Sequence, residues 1–198
     1  MKLIIASGNK GKLREIRAIL GGKFDEILSM KEAGIDHETV EDGKTFMENA
    51  YKKAFEIAEI SGCPALADDS GICVDALGGA PGIFSARFCG RHGDDDANNR
   101  LLVEKLKGEE NRKAHYTCAI ALVYPSDFAD DTRRGKAVFA EGYLHGEIVD
   151  EPRGDGGFGY DPYFYLSEYG CTAAELSAEE KNKISHRAEA LRNLLEKL

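Results

Sequence analysis

Apolar positions along this chain recur in two rhythms, one suited to buried strands and one to helices packed on them. Leu3 to Ala6 is a short apolar run closed by Ser7-Gly8-Asn9, after which Leu13, Ile16, Ile19 and Leu20 recur at helical spacing until Gly21-Gly22. This predicts strand, polar loop, helix, with a second strand over Phe24 to Leu28. Thr45-x-x-Glu48 forms a capping box for a helix to about Ser61, with Phe46, Ala50, Ala54 and Ile57 facing inward and Pro64 beyond its end. Ala65-Leu66-Ala67 predicts a buried strand broken at Asp68-Asp69-Ser70-Gly71 and resumed over Ile72 to Leu77, before the glycine-rich Gly78 to Gly82.

Asp94-Asp95-Asp96 favours the start of a helix reaching Leu106, because carboxylates are stabilised near an N-terminal helix end. His115 to Tyr124 and Lys136 to Ile148 are long strand candidates, expected to pair antiparallel across the Pro125 to Gly135 loop. From Thr172 onward two short helices are expected, the last over roughly His186 to Lys197. No repeat or linker divides the pattern, and the fold class it predicts is α/β with a mixed sheet.

Composition narrows the function. The 198 residues carry a formal net charge of −9, which argues against general affinity for DNA or RNA. The longest apolar run, Cys118 to Tyr124, is far shorter than a membrane span, and the N-terminus lacks a signal-peptide apolar region. Five widely spaced cysteines with no C-x-x-C pair suggest neither a disulfide framework nor a zinc site, so a reducing cytoplasm is expected. Charge is unevenly placed: residues 1–23 carry a net +5, residues 24–75 a net −9 and residues 181–198 a net +3. Basic ends and an acidic middle suit a magnesium–polyphosphate ligand.

Five segments carry candidate chemistry. Ser7-Gly8-Asn9-Lys10-Gly11-Lys12 lies between strand and helix, where backbone N–H groups and two lysines favour an anion; it is not a Walker A loop, because Leu13 follows the lysine. The same residues also suit a solvated helix start. Glu41-Asp42 and Asp68-Asp69 are carboxylate pairs in predicted loops flanking the Thr45 helix, with the hard oxygens that magnesium prefers. Either pair also fits an ordinary surface turn. Gly154 to Pro162 combines four glycines with Phe158 and Tyr160, a loop able to offer an aromatic face to a ring or simply to anchor itself. Ser185-His186-Arg187 opens the last helix with donors for carbonyl oxygens of a base, or with a plain cap. His37, His92, His115 and His145 show no ligand-like spacing.

In order along the chain, these segments resemble the non-canonical purine nucleoside triphosphate pyrophosphatases, the inosine/xanthosine triphosphatases also called Ham1-like or RdgB-like. The resemblance rests on Ser7-Gly-Asn-x-x-Lys12-x-x-Glu15, Glu41-Asp42-Gly43-x-Thr45-Phe46-x-Glu48-Asn49-Ala50, Ala67-Asp68-Asp69-Ser70-Gly71, Gly78 to Gly82 with Ser85-Ala86-Arg87, Gly157 to Pro162 and Ser185-His186-Arg187. It covers the whole chain, and six collinear blocks make it specific.

The resemblance implies one domain over residues 1–198 with two lobes around a long, twisted mixed sheet flanked by helices, a nucleotide cleft between the lobes, and a homodimer. It implies hydrolysis of ITP, dITP or XTP to the monophosphate and pyrophosphate with Mg²⁺. Carried over by motif, Ser7, Gly8, Asn9, Lys10, Gly11 and Lys12 bind the triphosphate, Asp69 is proton acceptor and metal ligand, and Glu41 is the second metal carboxylate. Ser70, Phe158, Gly159, Tyr160, Asp161, Lys181, His186 and Arg187 line the rest of the substrate site, and Lys53 is a further phosphate contact. Glu15, Asp42 and Asp68 compete with Glu41 for the metal. The rival readings are a Maf-like pyrophosphatase acting on other nucleotides and a module that binds nucleotide without turnover.

Overall fold

The computed structural model describes residues 1–198. In chain order its main elements are β1 (Lys2–Ile5), α1 (Lys10–Leu20), β2 (Glu26–Ser29), α2 (Phe46–Ser61), β3 (Ala65–Val74), α3 (Asp95–Lys105), β4 (Lys113–Val123), β5 (Ala137–Ile148), β6 (Phe164–Leu166), β7 (Cys171–Thr172), α4 (Ala178–Ile184) and α5 (His186–Leu195). The strands form one seven-stranded sheet in the order β2-β1-β3-β4-β5-β6-β7. β1 is parallel to β2 and to β3, whereas β6 is antiparallel to β5 and β7. Backbone bonds from Tyr124 N to Lys136 O (2.9 Å) and from Ile148 N to Arg112 O (2.8 Å) close the two ends of an antiparallel β4–β5 ladder. The sheet is therefore mixed, as the pattern predicts.

The chain falls into two compact units: Met1–Asp69 with Cys118–Gly142 and Arg187–Leu198, and Ser70–Thr117 with Tyr143–His186. In the first unit both faces of the sheet are covered. Leu3 and Ile5 of β1, Leu66 of β3 and Cys118, Ile120 and Leu122 of β4 pack on Ile16 and Leu20 of α1 and on Leu191 and Leu194 of α5. Ile4 and Ala6, Ala65 and Ala67, and Ala121 and Val123 point the other way, against Ala50, Ala54 and Ile57 of α2. A strand buried on both sides needs no polar alternation, which is why Leu3 to Ala6 is an unbroken apolar run. In the second unit Ile72, Val74, Tyr116, Ile148 and Phe164 pack with Leu102 and Leu106 around a separate core.

One expectation is overturned. β3 runs without interruption from Ala65 to Val74, so Asp68 and Asp69 lie within a strand rather than in a turn at its break. Gly71 serves close approach, not a turn: a Cβ there would stand 2.4 Å from Ser85 Oγ and 2.5 Å from Gly82 O. Ser85 Oγ accepts the Ile72 N–H at 2.9 Å, which ties the strand to the short helical turn Gly82–Arg87. The capping box is likewise half formed. Thr45 Oγ1 accepts from Glu48 N at 3.1 Å, but the Glu48 carboxylate reaches back to Lys44 N (2.6 Å) rather than to Thr45.

Candidate active site

The pleat of β3 decides where its acidic residues go. Side chains alternate across a strand, so Asp68 follows Leu66 toward α1 and α5, while Asp69 follows Ala67 toward α2. Two adjacent carboxylates thus enter different surroundings.

Asp68 is buried in a charge network. Its Oδ2 accepts from Arg187 Nε at 2.9 Å and Nη2 at 2.8 Å, and from the Cys118 thiol at 3.3 Å. Its Oδ1 lies 2.6 Å from Lys12 Nζ. Arg187 Nη1 also bonds Glu15 of α1. Burial pushes the Asp68 carboxyl up, but Arg187 and Lys12 outweigh it and hold the group far below the usual carboxylate range. The same desolvation acts on Arg187 and is again overcome, chiefly by Asp68.

Asp69 faces a different cation. Lys53 of α2 places its Nζ 3.1 Å from Asp69 Oδ1 and 2.8 Å from Glu41 Oε1. Asn49, one helical turn before Lys53, donates from Nδ2 to Asp69 Oδ2 at 3.2 Å and accepts the Gly43 N–H on Oδ1 at 2.8 Å. That amide fixes the Glu41-Asp42-Gly43 loop and β3 to one helix face. Burial raises the Asp69 carboxyl above its ordinary value, with Lys53 and Lys12 opposing and Glu41 reinforcing the rise.

The carboxylates that sequence left in competition are now sorted by their cations. Glu15 and Asp68 belong to Arg187 and Lys12, and exposed Asp42 pairs with Lys52 at 2.7 Å. Only Glu41 and Asp69 converge on Lys53. No group of three or more His, Cys, Asp or Glu side chains is gathered to hold a metal ion.

The loop from Ser7 to Lys12 opens α1 as expected. Asn9 is the N-cap, its Oδ1 accepting from Lys12 N at 3.1 Å, and Ser7 Oγ accepts from Asn9 N at 3.2 Å. Both side-chain oxygens hold the loop's shape by accepting. Gly8, Asn9 and Lys10 are exposed, and a Cβ on Gly8 would meet nothing within 4 Å.

In the second unit, Ser70 continues β3 half-buried. Asp161 is buried and organises its own loop: Oδ2 accepts from Lys181 Nζ at 2.6 Å and from Phe158 N at 2.8 Å, and Oδ1 accepts from Tyr116 OH at 3.3 Å. Lys181 Nζ sits 4.8 Å from the Phe158 ring centroid. Gly159 donates its N–H to Asp95 and accepts on its O from Asn99, and the Tyr160 hydroxyl donates to Ser85 O at 2.7 Å. The His186 ring stacks on Tyr116 at 4.7 Å with an 11° tilt. Burial, reinforced by Asp161, drives the Tyr116 hydroxyl well above its ordinary pKa, so it is a donor.

Asn49 and Tyr116 are the residues the sequence did not single out. Asn49 carried a signal, four residues before Lys53 on one helix face and six after Gly43. Tyr116 carried none, because inside an apolar strand it is indistinguishable from core.

A mixed sheet flanked by helices, with basic side chains and carboxylates collected where β1 and β3 meet α1 and α2, defines an α/β protein equipped for anionic and cationic partners at once. The chain belongs to the Ham1 family, whose profile matches residues 3–197. A dITP/XTP pyrophosphatase of Geobacter sulfurreducens is 52% identical over 192 residues, covering 96% of this chain and 92% of that protein. One from Chromobacterium violaceum is 49% identical over 197 residues, covering 100% and 96%. The solved structure of a HAM1 protein from Coxiella burnetii superposes with a TM-score of 0.86 at 38% identity, covering 100% of both chains.

Proposed function

We infer that this protein is a nucleoside triphosphate pyrophosphatase that removes deaminated purine nucleotides, ITP, dITP and XTP, by hydrolysing them to the monophosphate and pyrophosphate. Its support is full-length identity of about one half to dITP/XTP pyrophosphatases, together with one observation of the fold, the convergence of Glu41 and Asp69 on a single cation. We take residues 1–198 as one functional domain, working in the cytoplasm as a homodimer.

Magnesium fits the residues present. Glu41 and Asp69 offer hard carboxylate oxygens already turned on a shared positive charge, and magnesium commonly takes one or two carboxylates beside water and substrate phosphates. When bound, the ion neutralises phosphate charge and polarises the phosphorus centre. Asp69 then serves as proton acceptor for the water that attacks the α-phosphorus. The bond from that phosphorus to the oxygen leading to the β-phosphate breaks, and pyrophosphate departs. Lys10, Lys12 and the N–H groups of Gly8, Lys10 and Gly11 stabilise the triphosphate charge, and Lys53 supplies a further phosphate contact.

Ser70, Phe158, Gly159, Tyr160, Asp161, Lys181, His186 and Arg187 complete the substrate set. Phe158 offers a ring face, and Asp161 holds its backbone and Lys181 in place. Hypoxanthine and xanthine present a 6-oxo acceptor where adenine has an amino donor, so N–H donors from His186, Arg187 or the backbone select the former. Arg187 does so while also holding Asp68 and Glu15.

Incubation with ITP, XTP, dTTP and UTP, with pyrophosphate and orthophosphate measured separately, tests the reading. Pyrophosphate from ITP and XTP is expected. Turnover confined to dTTP and UTP would favour a Maf-like activity, orthophosphate release a phosphatase, and tight ITP binding without product a sensor.

A further inference from the structure

We propose that Lys53 is a resident counter-ion that the metal must displace, so that the site takes its divalent cation together with a polyphosphate and binds it only weakly alone. The proposal rests on the assignment of Glu41 and Asp69 as the metal's carboxylates. Lys53 Nζ lies 2.8 Å from Glu41 Oε1 and 3.1 Å from Asp69 Oδ1, with its side chain only 13% exposed. It occupies the position to which both carboxylates point. The second oxygen of Asp69 is taken by Asn49, so both of its oxygens are already engaged.

A divalent ion arriving alone therefore meets a carboxylate pair whose charge is half offset by an ammonium that repels it. The other carboxylates of this unit's network are engaged elsewhere, Asp42 by Lys52 and Asp68 by Lys12 and Arg187. A polyphosphate changes this. It brings negative oxygens to which the flexible lysine stem can swing, and it carries the divalent ion that replaces the ammonium. The exchange is a cation swap, with Lys53 passing from carboxylate to phosphate as the metal passes from phosphate to shared coordination. Metal and nucleotide are then positively coupled through one side chain.

Manganese titration of the nucleotide-free protein, followed by electron paramagnetic resonance, tests this without any turnover. Lys53→Met should bind Mn²⁺ about tenfold tighter or more than wild type, and Asp69→Asn in the same background should cancel the gain. Equal or weaker Mn²⁺ binding by Lys53→Met overturns the proposal. A gain that survives Asp69→Asn overturns instead the placement of the metal at Asp69. Should Lys53→Met fail to fold, lysine ¹³Cε relaxation in the wild-type protein gives the same decision: Lys53 must lose its ordering as Mg²⁺ saturates, and an unchanged Lys53 signal at saturation overturns the swap.

Discussion

Arg187 and Asp68, 119 residues apart in the chain, meet through the guanidinium Nε and Nη2 with both side chains at or below 1% exposure. The pair joins α5 to β3, and Lys12 and Glu15 extend it to α1. Removing one member of a buried ion pair leaves an uncompensated charge, at a typical cost of about 3–5 kcal/mol. Arg187→Met and Asp68→Asn should each lower stability in urea unfolding by that order. The double variant should lose less than the sum of the two, and strict additivity would show that the pair is not coupled.

Adjacent Asp68 and Asp69 should titrate in opposite directions. Asp68 is held below the ordinary value of 3.8 by Arg187 and Lys12 against burial, so its contribution to stability is complete above the unfolded pKa and is lost as pH falls toward its folded pKa. Asp69 is raised, mainly by burial, so in the metal-free protein it takes up its proton at a higher pH than a free aspartate. Carboxyl ¹³C NMR of the metal-free protein checks both signs. Asp68→Asn should flatten the acid limb of stability against pH, whereas Asp69→Asn should not.

Turnover should depend on Asp69 above all. Asp69→Asn keeps the size and one of the two acceptor oxygens while removing the proton acceptor, and a fall in kcat of about 10²–10⁴ is expected for general-base loss. Steady-state pyrophosphate release from ITP measures it, and near wild-type kcat would remove Asp69 from that role.

Gly157 should tolerate no side chain. It has φ +72°, and a Cβ there would stand 2.0 Å from Asp161 Oδ2, the oxygen that accepts from Lys181 and from Phe158 N. Gly157→Ala should displace Asp161 and cost more than about 1 kcal/mol, beyond the usual gain from removing a glycine. Thermal melts report the stability loss. A rise in KM for ITP larger than any fall in kcat would tie the loop to substrate binding.

How much of this was legible in the sequence depended on the range of the interaction. The helix after Thr45 and the β4–β5 pair were visible because periodicity and turn residues are local. β6 and β7, at three and two residues, are too short to show a period. Asp68-Asp69-Ser70-Gly71 has the composition of a turn, because acidic residues next to glycine usually mark one, yet it lies within β3. Only the tertiary partners, Arg187 and Lys12 for one carboxylate and Lys53 and Asn49 for the other, let a buried strand carry them. The blocks of the candidate site were visible as motifs. Their division of labour was not, since which acid pairs with which cation is decided by strand faces brought together over long chain separations.

The uninterrupted course of β3 through Asp68 and Asp69 has a consequence for how this chain can vary. Consecutive Cα atoms on a trans chain are about 3.8 Å apart and their side chains take opposite faces. One residue inserted or deleted ahead of the dipeptide, within the strand, would exchange the two carboxylates: the acid now gripped by Arg187 would face Lys53, and the other would be sealed among α1 and α5. Side-chain replacement in this strand can be gradual. Change in its length cannot, and descendants of this sequence are confined to one count of residues between Ala65 and Asp69.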